Sequence, residues 1–251
     1  MKITEHMETL AAEGRLLADA ADGAGPGAPV PTCPGWRIRD LLRHTAMVHA
    51  WAAALVREGR ASYIPDAREP ELDGPELSAH FRAGHRDLVE VLRSAPPDVE
   101  CWTFLPAPSP LAFWARRQAH ETTIHRVDAE SARGGPLSPV ATAHALDGVD
   151  ELLLGMHTRP KSRVRTETPR TLRVRATDTG TVWTVRLSAE PLTAVREETP
   201  EPAGEADCEL SGPVATLYLA LWNRLPLTDL TLTGDEELGR LWRDTSAITW
   251  S

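Results

Sequence analysis

The stretch FWARRQAHETTIHRVDAE, residues 113–130, decides the fold of this chain. No helix-breaking residue occurs between Pro110 and Gly134, so the sequence predicts one long helix there. Residues four apart lie on the same face of a helix, which places Glu121 and His125 side by side. A carboxylate and an imidazole in that arrangement form half of a site for a divalent metal ion.

His120 is a weaker candidate ligand than its neighbours. It lies five residues before His125, so the two imidazoles point in different directions. The spacing also differs from the H-E-x-x-H motif of metalloproteases. Taken alone, Glu121 and His125 are as consistent with a solvent-facing pair as with a metal site.

A third ligand is available on a second predicted helix, over roughly residues 36–59. His44 falls within the apolar stripe of this helix, whereas His49 is predicted to leave it. The stripe is formed by Leu41, Val48, Trp51 and Leu55. An isolated histidine at such a position is more often an ordinary buried histidine with a hydrogen-bonded ring. Together with Glu121 and His125, His44 predicts a metal site.

Three segments together resemble the mycothiol-dependent maleylpyruvate isomerase family. This family belongs to a larger, mostly actinobacterial, DinB-like group of metal-binding four-helix bundles. The segments are CPGW at 33–36, RDLLRH at 39–44 and residues 113–130, in the order of the family. The resemblance covers most of the chain. It implies a zinc ion held by a histidine on the second helix and by a Glu-x-x-x-His pair on a later helix, which correspond here to His44, Glu121 and His125.

Helix-breaking residues divide the first part of the chain, residues 1–158, into helices joined by loops rich in glycine and proline. Asp73 and Ser109 are placed as N-caps, and Gly134 ends the fourth helix. Amphipathic helices connected in this way favour an antiparallel four-helix bundle. The predicted helices cover residues 2–22, 36–59, 73–95, 109–133 and, starting at Ser138-Pro139, 139–157.

The pattern changes after Pro160 to an alternation of apolar and polar residues, which is typical of strands exposed on one side. Ser211 is the predicted cap of a helix ending near Asn223, and Thr233 begins a last helix. Residues 161–251 are therefore predicted to form a smaller α+β domain, which resembles the sterol-carrier-like C-terminal domain of the family. The predicted strands cover residues 172–176, 183–187, 193–196, 207–210 and 227–232, and residues 197–205 are a predicted acidic loop.

Composition excludes several classes of protein. The chain has 251 residues, 41% of them apolar, and a net charge of −9, which disfavours a nucleic-acid partner. It has no apolar run long enough to cross a membrane and no signal-peptide layout at its start. Three scattered cysteines do not form a disulfide framework, and Cys33 lacks the basic surroundings of a reactive thiol. We expect a cytoplasmic protein that is a monomer or a weak homodimer.

Two histidines and one carboxylate leave open positions on a zinc ion, as in catalytic rather than structural sites. The same ligands accept nickel, cobalt or iron(II). The resemblance implies mycothiol as cosubstrate, whose thiolate attacks a small electrophilic substrate, giving either isomerisation of a maleyl-type double bond or thiol S-transfer.

Both reactions need cationic groups for an anionic substrate or for the thiol. Arg117 precedes the candidate ligands by one turn, and the resemblance implies a role in activity for Arg224. Asn223 stands where the family usually has glycine, so we expect the helix end there to differ. Further candidates for contact with the cosubstrate are Trp36, Trp114, Arg116 and Arg82. An arginine at such a position is more often an ordinary surface residue.

Two other functions stay open. One is a metal-dependent hydrolase that uses metal-activated water. The other is a non-catalytic protein that binds a metal or a ligand. Dependence of turnover on a thiol distinguishes the first alternative from the thiol-using enzyme.

Overall fold

A computed structural model describes residues 1–63, 67–199, 201 and 204–248. The chain forms two compact units, Met1–Ser138 and Pro139–Ser251. The first unit is helical, with α1 Ile3–Ala24, α2 Ile38–Glu58, α3 Gly74–Ser94 and α4 Pro110–Arg133. The second unit is α+β, with α5 Thr142–Asp150, β1 Arg170–Ala176, β2 Val182–Leu187, β3 Thr193–Arg196, β4 Cys208–Gly212, α6 Val214–Leu221, β5 Thr231–Gly234 and α7 Glu236–Thr245.

The first unit is the predicted helical bundle. α1 packs against α3 and α4, and α2 packs against the same two helices. The predicted caps form: the Asp73 carboxylate accepts from the Gly74 amide, and the Ser109 hydroxyl accepts from the Ala112 amide at 3.1 Å. A proline in its first turn and a glycine after its last turn give α4 the predicted bounds.

α4 is buried around most of its circumference, with 18 buried residues among its 24. Many of these are polar and must find partners within the protein. Arg126 is fully buried, and its guanidinium bonds Glu13 on α1 and Glu130 on its own helix, each at 2.7 Å. Such pairs allow a helix with little apolar character to lie in the interior.

The prediction for His49 on α2 is wrong. His49 is fully buried and shares a 2.9 Å hydrogen bond with the Thr122 hydroxyl on α4. The stripe of α2 that faces the core runs through Thr45, His49, Ala52 and Val56, whereas His44 lies at its edge. A stripe that includes a threonine and a histidine is not visible as an apolar pattern.

The second unit is built on one five-stranded sheet with the order β3-β2-β1-β4-β5. β1 and β2 form the predicted antiparallel hairpin, whose turn uses the positive φ of Gly180. β4 pairs with β1 in parallel and with β5 in the antiparallel sense. The alternating residues of β1 and β4 place Leu172, Val174, Cys208 and Leu210 in the core.

The division between the units lies earlier than the predicted position near residue 159. α5 belongs to the second unit, where it packs against α6. Asp150, at its end, accepts from the Trp183 indole at 2.7 Å and pairs with Arg196 at 2.9 Å, which ties the helix to β2 and β3. After Asp150 the helix continues as a π-helical segment, Glu151–Met156.

Three helices, α5, α6 and α7, do not start at the predicted cap residues. Ser138 does not cap α5, because its backbone amide and its hydroxyl both bond the Glu130 carboxylate. Ser211 lies in β4 and not at a helix start. The backbone amide of Val214, at the start of α6, instead donates a 3.0 Å hydrogen bond to the carboxylate of Asp178 in the β1–β2 turn. α7 is capped by Asp235 rather than Thr233.

One predicted strand starts later than predicted, and one predicted loop is described only in part. The predicted strand over 227–232 begins as a 3-10 turn, Leu227–Asp229, and the strand itself starts at Thr231. Residues 200, 202 and 203 of the predicted acidic loop lie outside the described residues. Among the helices that are described, none is both long and apolar enough to cross a membrane.

Candidate metal centre

The structure brings His44, Glu121 and His125 together in the first unit. α2 supplies His44, and one turn of α4 supplies the other two residues. Each offers one ligand atom, and these three atoms lie within 4.8 Å of one another. The two helices therefore assemble the set that spacing predicted.

Glu121 lies at the centre of this group and its two oxygens have separate roles. Oε1 is 3.1 Å from Nε2 of His125 and 3.6 Å from Nε2 of His44. Oε2 accepts a 3.0 Å hydrogen bond from the guanidinium of Arg117, one turn earlier on α4. Arg117 thus fixes the carboxylate so that its other oxygen faces both imidazoles.

His125 is oriented by Asp128, a residue that was not among the predicted site residues. Nδ1 of His125 is 2.9 Å from the carboxylate of Asp128, which is fully buried. Asp128 also accepts from the Thr32 hydroxyl at 2.6 Å and from the Cys33 thiol at 3.4 Å. Because Nδ1 donates to Asp128, Nε2 is directed at Glu121 and His44, as metal ligation requires. The i,i+3 spacing of His125 and Asp128 was the available signal.

The ionisation of the group follows from these contacts. Burial raises the pKa of Glu121, but hydrogen bonds from His125 and His44 and the charges of His125 and Arg117 outweigh it, so the pKa lies well below its usual value. Burial lowers the pKa of His125, but hydrogen bonds to Asp128 and Glu121 and their charges raise it to about 9. Glu121 is therefore an anion that counters the positive charges around it.

The group is not sealed from solvent. The side chain of His44 is 13% exposed, and its Nδ1 is 3.9 Å from Glu69, which is exposed. Trp36 is half-buried; its ring stacks on His125 with the centroids 6.2 Å apart and is tilted against His44 at 5.1 Å. A ligand entering from this side would meet an indole face.

The other candidate residues of the first unit lie in different surroundings. Arg117 is only 2% exposed and bonds Glu121. Trp114 is fully buried and its indole N–H donates to the Trp102 carbonyl. Arg82 pairs with Asp19 and Asp22 on α1, and Arg116 is half-buried. Arg117 is thus joined to a candidate ligand by a hydrogen bond.

Arg224 lies in the second unit, just after α6. Asn223 before it has φ of +62°, so asparagine adopts the left-handed conformation that ends a helix here and that glycine adopts readily. The Asn223 amide donates to the Arg243 carbonyl at 3.0 Å, and one Arg224 guanidinium nitrogen donates to the Trp222 carbonyl at 2.8 Å. Asn223 thus ends the helix in a backbone conformation that glycine also adopts, and its side chain adds a hydrogen bond that glycine cannot make.

The three side chains fit a divalent ion. Two imidazole nitrogens and one carboxylate oxygen are ligands that zinc accepts in catalytic sites. Asp128 and Arg117 fix the orientations of His125 and Glu121. An ion at this point would replace the close contacts between Glu121 and the two imidazoles.

Two family models match most of the chain. Residues 7–130 match the family model described as the mycothiol maleylpyruvate isomerase N-terminal domain, and residues 143–240 match the model of the C-terminal domain of the same proteins. The chain belongs to the mycothiol-dependent maleylpyruvate isomerase family. The two matched regions lie in the two compact units, one in each.

Solved structures of the maleylpyruvate isomerase family have the same fold. The mycothiol-dependent maleylpyruvate isomerase superposes with a TM-score of 0.65 at 16% identity, and a point mutant of this enzyme gives the same TM-score at 14% identity. Each comparison covers 93% of both chains. No curated protein sequence matches the chain significantly. At this identity the likeness establishes the fold, a helical N-terminal domain and an α+β C-terminal domain.

Proposed function

We propose that this chain is a zinc-dependent enzyme that uses a low-molecular-weight thiol, mycothiol, to attack a small electrophilic substrate. The observation that carries the proposal is the convergence of His44 Nε2, His125 Nε2 and Glu121 Oε1. Membership of the family supports mycothiol as the cosubstrate.

His44, Glu121 and His125 would hold the ion. When bound, zinc would lower the pKa of a coordinated thiol and so supply a thiolate at neutral pH. Asp128 keeps the Nδ1 proton of His125 and Arg117 keeps one oxygen of Glu121 occupied, so neither ligand has to reorient. Trp36 offers an apolar ring beside His44 and His125, which would exclude water from one side of the reacting groups.

The substrate class we propose is a small unsaturated acid. The thiol would add to its activated cis double bond and be eliminated after rotation to give the trans isomer, or would stay attached in an S-transfer. Resemblance to the family also makes Arg224, which is half-buried in the second unit, a candidate for a role in activity. A reduced thiol as cosubstrate fits a cytoplasmic location.

The test combines metal analysis with turnover. Intact protein purified without chelator should contain one divalent ion per chain and should isomerise maleylpyruvate only when mycothiol is present. His125→Ala should lose both metal and turnover, because it removes a ligand. His80→Ala is the matched control, since His80 is an exposed histidine on α3.

Two results would count against the proposal. Full metal retention in the double variant His44→Ala, His125→Ala would refute the ligand assignment. Turnover that does not depend on the thiol, but is lost in His125→Ala, would favour a metal-dependent hydrolase instead.

A further inference from the structure

A groove between α1 and α3 is lined by none of the candidate metal ligands. Its volume is about 660 Å³, within the range of small-molecule sites. Ala11, Gly14, Val89 and the ring of His85 are buried residues that form its apolar base. The stems of the arginines at its rim add further apolar surface.

The base of the groove depends on a close approach between the two helices. A Cβ atom on Gly14 would lie 2.2 Å from Nε2 of His85, so only glycine leaves room for the ring. His85 uses this space to donate a 2.9 Å hydrogen bond to the Leu10 carbonyl. The base is therefore a fixed surface with its polar nitrogen already satisfied.

The rim of the groove is positively charged. Arg82, Arg86 and Arg93 lie on one face of α3, at i, i+4 and i+11, and Arg15 faces them from α1. Glu90 is the one acid in the lining. Burial lowers the pKa of His85, its bond to Leu10 opposes this, and the charges of Arg15 and Arg86 lower it further. The guanidinium groups of Arg15 and Arg86 are therefore close enough to His85 for their charges to be felt at the base of the groove.

Most of this charge is uncompensated. Arg82 is paired with Asp19 and Asp22, at 2.8 and 2.7 Å. Arg15, Arg86 and Arg93 have no ion pair or hydrogen bond to any described residue. Three unpaired arginines around one groove leave positive charge there that a bound anion would neutralise, although the chain as a whole has a net charge of −9.

We propose that this groove binds a small amphiphilic anion, a molecule with a carboxylate or phosphate head and an alkyl-sized apolar body. The apolar base would take the body, because burying carbon against carbon is favourable. Guanidinium groups bind carboxylate and phosphate with paired hydrogen bonds, so the unpaired arginines would take the head.

The experiment is calorimetric titration of the intact protein with decanoate and with decyl phosphate, below the concentrations at which they form micelles. At least one should bind saturably with one site per chain, and their relative affinities identify the head group. Inorganic phosphate, which has no apolar body, and decyltrimethylammonium, which has the opposite charge, should bind at least about tenfold more weakly. The proposal would be overturned if neither decyl anion bound saturably. It would also be overturned if inorganic phosphate bound as tightly as decyl phosphate.

Variants locate the site and separate it from nonspecific attraction. Arg86→Glu should weaken binding at least about tenfold by reversing a charge in the lining. Glu90→Gln should strengthen it roughly threefold, because it removes the acid that repels the head group. Arg240→Glu is the control, since Arg240 is an exposed arginine on α7. Equal losses in Arg86→Glu and Arg240→Glu, or unchanged affinity in Arg86→Glu, would refute the location.

Discussion

At the scale of single residues, Asp128 controls the candidate metal centre without being one of the proposed ligands. Its carboxylate accepts from His125, Thr32 and Cys33, so it fixes which nitrogen of His125 is available. Asp128→Asn should therefore lower metal affinity about 10- to 100-fold while the fold is retained. Competition with a chromogenic chelator measures this affinity.

The matched control for that variant is Asp98→Asn, at an exposed position before the α4 region. It should leave metal affinity unchanged. Equal affinities for the wild type and Asp128→Asn would show that Asp128 does not orient His125.

The sequence predicted the three candidate ligands but only part of their surroundings. Glu121 and His125 could be paired because helical spacing is local, and the resemblance supplied the same set. Thr32 and Cys33 could not be connected to Asp128, because their contacts span about a hundred residues and depend on how the helices pack. His49 was missed for the same reason, since its partner Thr122 lies on another helix.

At the scale of single elements, α4 is stabilised by buried ion pairs. Arg126 is fully buried between Glu13 and Glu130. Arg126→Ala leaves these carboxylates without their cation, so it should lower the free energy of unfolding by about 3–5 kcal/mol. Urea denaturation of the intact protein measures the change.

Arg133→Ala on the same helix is the control for this effect. The side chain of Arg133 is 37% exposed and lies as far as 4.0 Å from the Glu130 carboxylate, so its removal should lower the free energy of unfolding by no more than about 1 kcal/mol. A similar small loss for Arg126→Ala would mean that the buried pairs contribute little to stability.

The helices and strands differed in how well local sequence predicted them. α4 has a cap, a first-turn proline and a terminal glycine within its own sequence, and its predicted bounds are confirmed. α5 and α6 are different, because Ser138 bonds Glu130 on the preceding helix and Asp178 of a distant turn serves the start of α6. Where a helix start depends on tertiary contacts, local sequence cannot locate it.

At the scale of the whole molecule, each compact unit contains a buried histidine that is neutral at pH 7. Burial, with smaller effects from the charges of His85 and other neighbours, lowers the pKa of His49 in the first unit to about 3. Burial lowers the pKa of His157 in the second unit to about 4. Because the unfolded chain takes up a proton at higher pH than the folded chain does, both histidines favour folding above about pH 6.5 and lose this contribution as the pH falls.

The effect can be isolated at His157, whose ring contacts Trp242 edge to face at 4.9 Å. As the pH falls from about 6.5 to 4, the lowered pKa of His157 should reduce the free energy of unfolding by about 3 kcal/mol. His157→Phe keeps an aromatic ring but cannot titrate, so its unfolding free energy should fall less steeply over this range. Urea denaturation at several pH values compares the two proteins, and parallel curves would contradict the assignment.

The parallel pairing of β1 with β4 has a consequence for how the second unit folds. β1 and β2 are joined by a short turn and β4 and β5 by a connection that contains α6, whereas β1 and β4 are separated by a longer stretch that contains β2 and β3. Local contacts form quickly, and contacts between distant residues must first meet the entropy of closing the loop. We therefore expect the β1–β2 pair to form first, the β4–β5 pair next and the β1–β4 pairing last, so that this last step sets the folding rate of the unit.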